Sequence, residues 1–299
     1  MTWSALRDVA GDALEFDAPF GSRTTYRVGG HARAVLRLET RSELQQWGAA
    51  LHDIDTIYVL GNGSNTLVSD AGFDGLVIVL GTEFSQLDVS DNHQITAGAG
   101  LDLPVVARRS VEAGLQGFEW AVGVPGTVGG AVAMNAGGHG SDMAASVTAV
   151  EVWNLDTVSV ETRSIDEMGF GYRRSSLTTR HIVLSATLQL EAGEVEEGRE
   201  KMREIVKWRR EHQPGGANAG SVFQNPSTTS AGSVIDGCGL KGCRLGTAHV
   251  SEKHANFIQV DTDGSANDVA QLMTLVHDTV LRERGIDLHT EIRLVGFSS

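Results

Sequence analysis

Gly123-Val124-Pro125-Gly126-Thr127-Val128-Gly129-Gly130-Ala131, followed by Met134-Asn135-Ala136-Gly137, is the stretch on which the reading of this chain turns. Glycine lets the main chain take positive φ, approach another group closely and leave N–H groups aimed at an anion. Two readings fit the run: tight turns in a β-rich domain, or backbone laid against a large planar group or a pyrophosphate. A second such loop, Gly61-Asn62-Gly63-Ser64-Asn65, follows the apolar run Thr56-Ile57-Tyr58-Val59-Leu60 and adds two side-chain donors, Ser64 and Asn65. It is not a dinucleotide fingerprint, because Thr66 replaces the third glycine and no long helix follows. Nor is it a Walker loop, since Gly-Lys-Ser/Thr is absent. Gly98-Ala99-Gly100 makes a third. The chain holds 36 glycines in 299 residues, against about 7% in ordinary proteins, and they gather at 61–63, 98–100, 123–140 and 215–246.

Around these loops the chain alternates short strands and a few helices. Thr56–Leu60, Gly75–Leu80, Val147–Trp153 and His181–Leu190 are short, apolar and rich in β-branched residues, which predicts buried strands. Thr40-Arg41-Ser42-Glu43 is a capping box ahead of Leu44, Trp47 and Leu51 on one helical face. Pro104 opens a second helix that stops at Gly114. Glu194–Glu211 is a charged helix with an apolar face of Met202, Ile205 and Val206. Ser265–Arg284 keeps a 3.6 period through Val269, Leu272, Met273, Val276, Val280 and Leu281, and Gly285 ends it. The charged helix marks the boundary between a glycine-rich part, 1–192 (in turn about 1–80 and 81–192), and a smaller αβ part, 193–299. The class is α+β.

Composition excludes several functions. The formal charge is −14, the wrong sign for a non-specific nucleic-acid footprint. No apolar run approaches the about 18 residues of a membrane span, and Met1–Leu6 lacks the pattern of a signal peptide. The expected location is therefore the cytoplasm. Cys238 and Cys243 lack zinc-site spacing and fit reduced thiols at a glycine turn. His249 and His254 do not make an H-E-x-x-H pair, so no metal site is expected.

Three polar residues sit in suggestive places. Ser221 lies at a glycine turn entering the apolar Val222-Phe223; Arg173 follows Gly171-Tyr172; Glu291 precedes Ile292-Arg293-Leu294-Val295. Taken singly they fit a turn serine, a surface arginine and a strand-end carboxylate. Nothing in the sequence alone says that they meet.

Together the motifs resemble a known family. Gly61–Asn65, Gly117-Phe118-Glu119 and Val124–Gly130 are similar to the FAD-binding domain of vanillyl-alcohol oxidase-type (PCMH-type) flavoproteins. Within that superfamily they most resemble the UDP-N-acetylenolpyruvoylglucosamine reductases. The likeness continues through Gly171–Ser175, Ala219–Pro226, Gly239–Gly242, Val250–Phe257 and Glu291–Arg293, in order along nearly the whole chain.

The resemblance implies a two-part FAD-binding domain followed by a smaller αβ substrate-binding domain. It implies non-covalent FAD, with His139 not a covalent anchor, and NADPH as hydride donor to a UDP-sugar enolpyruvate. Arg173, Ser221 and Glu291 would be the catalytic residues: a carboxylate fork, the proton donor and a polarising acid. Gly61, Asn62, Gly63, Ser64, Asn65, Gly123, Pro125, Gly126, Thr127, Gly129, Gly130, Asn135 and Gly137 would line the cofactor. Tyr172, Asn225 and Lys241 would contact the UDP-sugar, and Arg173, Arg174 and Arg209 would receive anionic ligands at close range. Gln224 and His212 stand where the family usually has lysine. The short Ser227–Ser230 connection matches the family's compact second type, taken as a monomer. The rival readings are an oxygen-using flavin oxidase of the same superfamily and a flavin- or UDP-sugar-binding protein without activity. Intact Arg173, Ser221 and Glu291 motifs speak against both.

Overall fold

The capping box is where the sequence predicts it. Thr40 Oγ1 accepts from the Glu43 N–H while the Glu43 carboxylate accepts from the Thr40 N–H, and the helix Arg41–His52 follows, burying Leu44, Trp47 and Leu51. The computed structural model describes residues 2–297. Packing divides the chain into two compact units: 1–16, 34–61 and 75–209 form one, and 17–33, 62–74 and 210–299 form the other. The sequence reading cuts the chain once, after 192. Packing instead sorts it by segments, with two N-terminal stretches joining the C-terminal unit and the charged helix Val195–His212 lying almost wholly on the first.

The first unit holds two cores. One forms around Leu36, Leu44, Trp47, Leu76, Ile78, Trp153 and Leu184. Beside it runs a four-stranded sheet in the order Leu14–Pro19, His31–Leu38, Phe73–Leu80, Ile57–Leu60, its last pair parallel. The other core joins Ile95, Val106, Phe118, Val132, Val150 and Leu188. Its sheet is antiparallel, ordered Ser159–Ser164, Val147–Asn154, His181–Gln189, Gln94–Gly98, Leu87–Val89. The helix opened by Pro104 spans Leu103–Glu112, and Gly114 closes it with φ +72°.

One part of the decisive glycine run departs from the loop expectation. Glu119–Gly123 is a 3₁₀ turn, and Val128–Met134 is a short helix despite Gly129 and Gly130. A cap overrides propensity here: Thr127 Oγ1 accepts from the Gly130 N–H at 3.4 Å, and Asn135 ends the helix in the left-handed region.

In the second unit, Arg244–Leu245, Ala248–Val250 and Ile258–Val260 make an antiparallel sheet. The helix Ala266–Arg284 packs on it through Val269, Leu272, Met273, Val276 and Val280, capped by Ser265 and ended by Gly285 at φ +66°. Tyr26 is fully buried in this core and donates to the Ile258 carbonyl at 3.1 Å, and burial pushes its phenol pKa up. Arg293–Val295 pairs in parallel with Thr66–Val68.

On the outer side of that long helix, His277 lies between Asp278 (2.9 Å) and Asp287 (2.8 Å). Hydrogen bonds to these carboxylates, Asp278 first, raise its pKa above the ordinary value. The charged imidazole therefore stabilises the fold in full below the ordinary pKa of about 6.5. That contribution is lost as pH rises through the higher folded value. With the side chain 30% exposed, solvent screening holds the gain to about 1 kcal/mol or less. His277→Gln should lower the melting temperature more at about pH 5.5 than at about pH 9. An equal drop at both would mean that the imidazole does not act through its charge.

Candidate active site

In the second unit, Ser221 follows Gly220, whose φ of +76° turns the chain and whose N–H donates to Asn218 Oδ1 at 3.0 Å. The segment that follows is fixed by one side chain. Asn256, 2% exposed, accepts from the Phe223 N–H at 3.0 Å and donates to the Phe223 carbonyl at 2.8 Å, while its own carbonyl accepts from the Val222 N–H at 2.9 Å. Glu291 lies on the neighbouring segment: its N–H donates to the Val222 carbonyl at 2.7 Å, Gln224 N–H donates to His289, and Phe223 pairs antiparallel with Thr290. The backbones of Ser221 and Glu291 are thus one step apart on a shared ladder, although 70 positions separate them in sequence.

Asn65 joins the same cluster. Its side-chain amide donates to the Glu291 carbonyl at 3.1 Å, and its carbonyl accepts from the Arg293 N–H at 2.9 Å. Gly63 takes φ +60° because a Cβ would stand 2.6 Å from the Thr24 backbone. The end of the glycine loop is therefore bonded to the main chain of the segment that carries the predicted catalytic Glu291. Asn225 Oδ1 caps the helix Ala231–Gly237 by accepting from the Ala231 N–H at 3.0 Å, and Lys241 pairs with Asp236 at 2.8 Å.

Arg173 belongs to the first unit. It sits at φ +55° in a turn closed by reciprocal backbone bonds between Gly171 and Arg174, and its Nη2 donates to the Gly137 carbonyl at 2.9 Å. Its guanidinium lies 5.2 Å from the ring centroid of Tyr172, which is 53% exposed.

The glycine loops of this unit can be tested as a cofactor cradle. At Gly61 a Cβ would stand 2.4 Å from Thr127 Oγ1, and at Gly129 it would stand 3.0 Å from Ala99 Cβ, so both glycines allow close approach of neighbouring segments. At Gly138 and Gly140 nothing lies within 4 Å, which leaves open space above bare backbone. Trp120 Nε1, buried in the turn that leads into the run, meets no hydrogen-bond partner among the described residues. Bare backbone, open space and an unspent buried donor fit a flat, polar-edged cofactor. In the Gly123–Gly137 run the N–H groups of Val128, Gly129, Gly130 and Ala131 are already bonded within the protein. These four amides are therefore not available as donors to a cofactor. Pro125 is exposed beside Gly126, whose carbonyl accepts from Leu103 N–H at 2.9 Å.

Gly123 has its own reason. A Cβ there would stand 2.7 Å from Arg209 Cδ. Burial pushes the Arg209 pKa below its ordinary value, and the nearby His139 is lowered by burial and by that same cation. His139 meets Trp208 edge-on at 5.2 Å between ring centroids. Asn256 and Trp120 were not singled out from sequence, although Asn256 stands within the Val250–Phe257 motif.

Comparison with known proteins agrees with this layout. Residues 32–162 match the family described as FAD binding domain, and residues 212–295 match the UDP-N-acetylenolpyruvoylglucosamine reductase C-terminal domain. A UDP-N-acetylenolpyruvoylglucosamine reductase of Synechococcus sp. (strain WH7803) is 40% identical over 99% of this chain and 97% of its own length. That of Paramagnetospirillum magneticum is 43% identical over 95% of this chain and 92% of its own. The crystal structure of the reductase from Thermus caldophilus superposes with a TM-score of 0.82 at 37% identity, covering 93% of this chain and 97% of that one. Identity at this level over essentially the full length places the chain in the UDP-N-acetylenolpyruvoylglucosamine reductase family.

Proposed function

We propose that this chain reduces the enolpyruvyl ether of UDP-N-acetylglucosamine enolpyruvate to UDP-N-acetylmuramate, a step of peptidoglycan precursor synthesis, with NADPH as reductant. The observation that carries the reading is full-length identity to reductases of that name, joined to the backbone bond from Glu291 to Val222, the residue after Ser221. The glycine-rich segments at Gly61–Asn65 and Gly123–Gly137 would hold FAD without a covalent bond, and the flavin would supply the hydride-transfer chemistry between NADPH and C3 of the substrate.

The remaining tasks fall to side chains. Reduction at C3 builds negative charge at C2 and on the adjoining carboxylate, so donors must be aimed there beforehand. Arg173 is charged at any working pH and presents a planar fork to the carboxylate. Glu291 is assigned to polarise the same group. Ser221 delivers the proton to C2; an ordinary serine is a weak acid, but a carbanion is basic enough to take its proton at short range. Tyr172, Asn225 and Lys241 are assigned to the UDP-sugar, with Lys241 exchanging its Asp236 partner for the ligand.

No helix of the described residues is long and apolar enough to cross a membrane. We infer a cytoplasmic monomer in which a flavin-binding part and a substrate-binding part share the work.

The test is spectroscopic. The purified protein should be yellow, bleach on addition of NADPH, and regain its colour when the UDP-enolpyruvyl sugar is added without oxygen. Recovery of colour only on admitting oxygen would favour the oxidase reading. A colourless protein that gains no activity with added FAD would end the proposal.

A further inference from the structure

The arginine assigned to the substrate carboxylate does not hold its own position. Its backbone lies at φ +55°, a region that strains a non-glycine residue and persists only where surrounding contacts impose it. Those contacts converge on one residue. Asn135 is 2% exposed and itself left-handed, at φ +46°, a conformation that asparagine tolerates. Its Nδ2 donates to the Gly171 carbonyl at 3.0 Å and to Asp142 Oδ2 at 3.1 Å, and its Oδ1 accepts from the Ala144 N–H at 2.9 Å. Gly171 is the first residue of the turn that carries Arg173. Two residues after Asn135, the Gly137 carbonyl accepts from the Arg173 guanidinium at 2.9 Å.

One short segment, 135–137, therefore grips the arginine at both ends. The Asn135 side chain fixes the main chain of its turn, and the Gly137 main chain fixes its fork. Asp142 sets which way the Asn135 amide faces, and its other oxygen accepts from the Ala145 N–H at 3.3 Å. Both N–H bonds of the amide are spent on these partners, so Asn135 has no donor left for a cofactor.

We propose that Asn135 is a positioning residue for Arg173 rather than a cofactor ligand, with Asp142 orienting its amide. The inference rests on the assignment of Arg173 to the substrate carboxylate for its kinetic consequence, but not for its structural one.

Two measurements test it. Asn135→Asp keeps the size and the left-handed backbone but removes the donor facing Gly171. In its crystal structure the bond from Arg173 to the Gly137 carbonyl should be broken; finding it unchanged would overturn the proposal whatever the enzyme does. Kinetically, a double-mutant cycle separates positioning from general stability. Asn135→Asp should lower kcat about 30-fold and Arg173→Ala about 10³-fold, and the double variant should fall no more than about 3-fold below Arg173→Ala. Multiplicative losses, or a loss in Asn135→Asp that only follows lost flavin, would count against positioning. Should Asn135→Asp not retain flavin, Asp142→Asn provides the same cycle, with about a 5-fold loss alone and none beyond Arg173→Ala. Failure of the reductase assignment shows separately, as wild-type flavin that the UDP-enolpyruvyl sugar does not reoxidise.

Discussion

In Ser221→Ala, NADPH should bleach the flavin at close to the parent rate, while reoxidation by the enolpyruvyl substrate slows by about 10³-fold, within the usual range for a lost general acid. The structure makes this a clean measurement. The turn before Ser221 is set by Gly220 and Asn218, and the strand after it by Asn256. Every one of those bonds uses main-chain groups at this strand and leaves the serine hydroxyl out. Removing the hydroxyl therefore leaves the local fold standing, and the melting temperature should stay within about 1 °C, as for a substitution away from any buried contact. Equal slowing of both half-reactions would mean that Ser221 is not the proton donor.

The second large effect concerns the frame around the same cluster. Gly29→Ala should destabilise the protein by about 3–5 kcal/mol, combining overpacking with left-handed strain. Gly29 lies at φ +107°, and a Cβ there would stand 2.2 Å from the Val68 carbonyl oxygen. The obstacle is backbone, so no rotamer change relieves it. Gly30 N–H already donates to Ser69, and Ser69 N–H to Val295, so three segments lie side by side at this point. Displacing them would disturb the ladder from Thr66–Val68 to Arg293–Val295, which sets Asn65 against Glu291. The expected fall in melting temperature is about 10 °C, with reduced substrate turnover. A drop under about 2 °C would show that the segments can part at low cost.

What the sequence revealed depended on how local the signal was. The helices Arg41–His52 and Ala266–Arg284 carry their own caps and stripes, and both form where those signals place them. The strands around Ile57–Leu60 and Val147–Asn154 were legible from β-branched runs between turns. The helix Val128–Met134 was hidden, because Gly129 and Gly130 argue against it and only the bond from Gly130 N–H to Thr127 reveals the cap. The closeness of Ser221 to Glu291 along the backbone could not be read from residues at all. It arises from an isolated bridge, Phe223 to Thr290, between segments distant in sequence, and only resemblance to a family suggested it. The roles of Asn256 and Asn135 were hidden for the same reason, although Asn135 was singled out as a cofactor contact: a buried asparagine is defined by the backbone groups it meets, and those are distant in sequence.

The sorting of residues 17–33 and 62–74 into the C-terminal unit also sets an order of events at the ribosome. Tyr26 and Leu67 belong to a core whose other members include Ile258, Leu272 and Val276, and the bond from Tyr26 to Ile258 spans 232 positions. Synthesis at about 5–20 residues per second separates these partners by about 10–50 s. Throughout that interval an apolar patch near the start of the nascent chain has nothing to cover it, while the segments between can already pack. A fragment beginning at residue 193 would lack Tyr26, Val28 and Leu67 altogether, leaving holes in its interior. The chain's last hundred residues are thus completed by pieces made first, and its two halves mature together rather than one after the other.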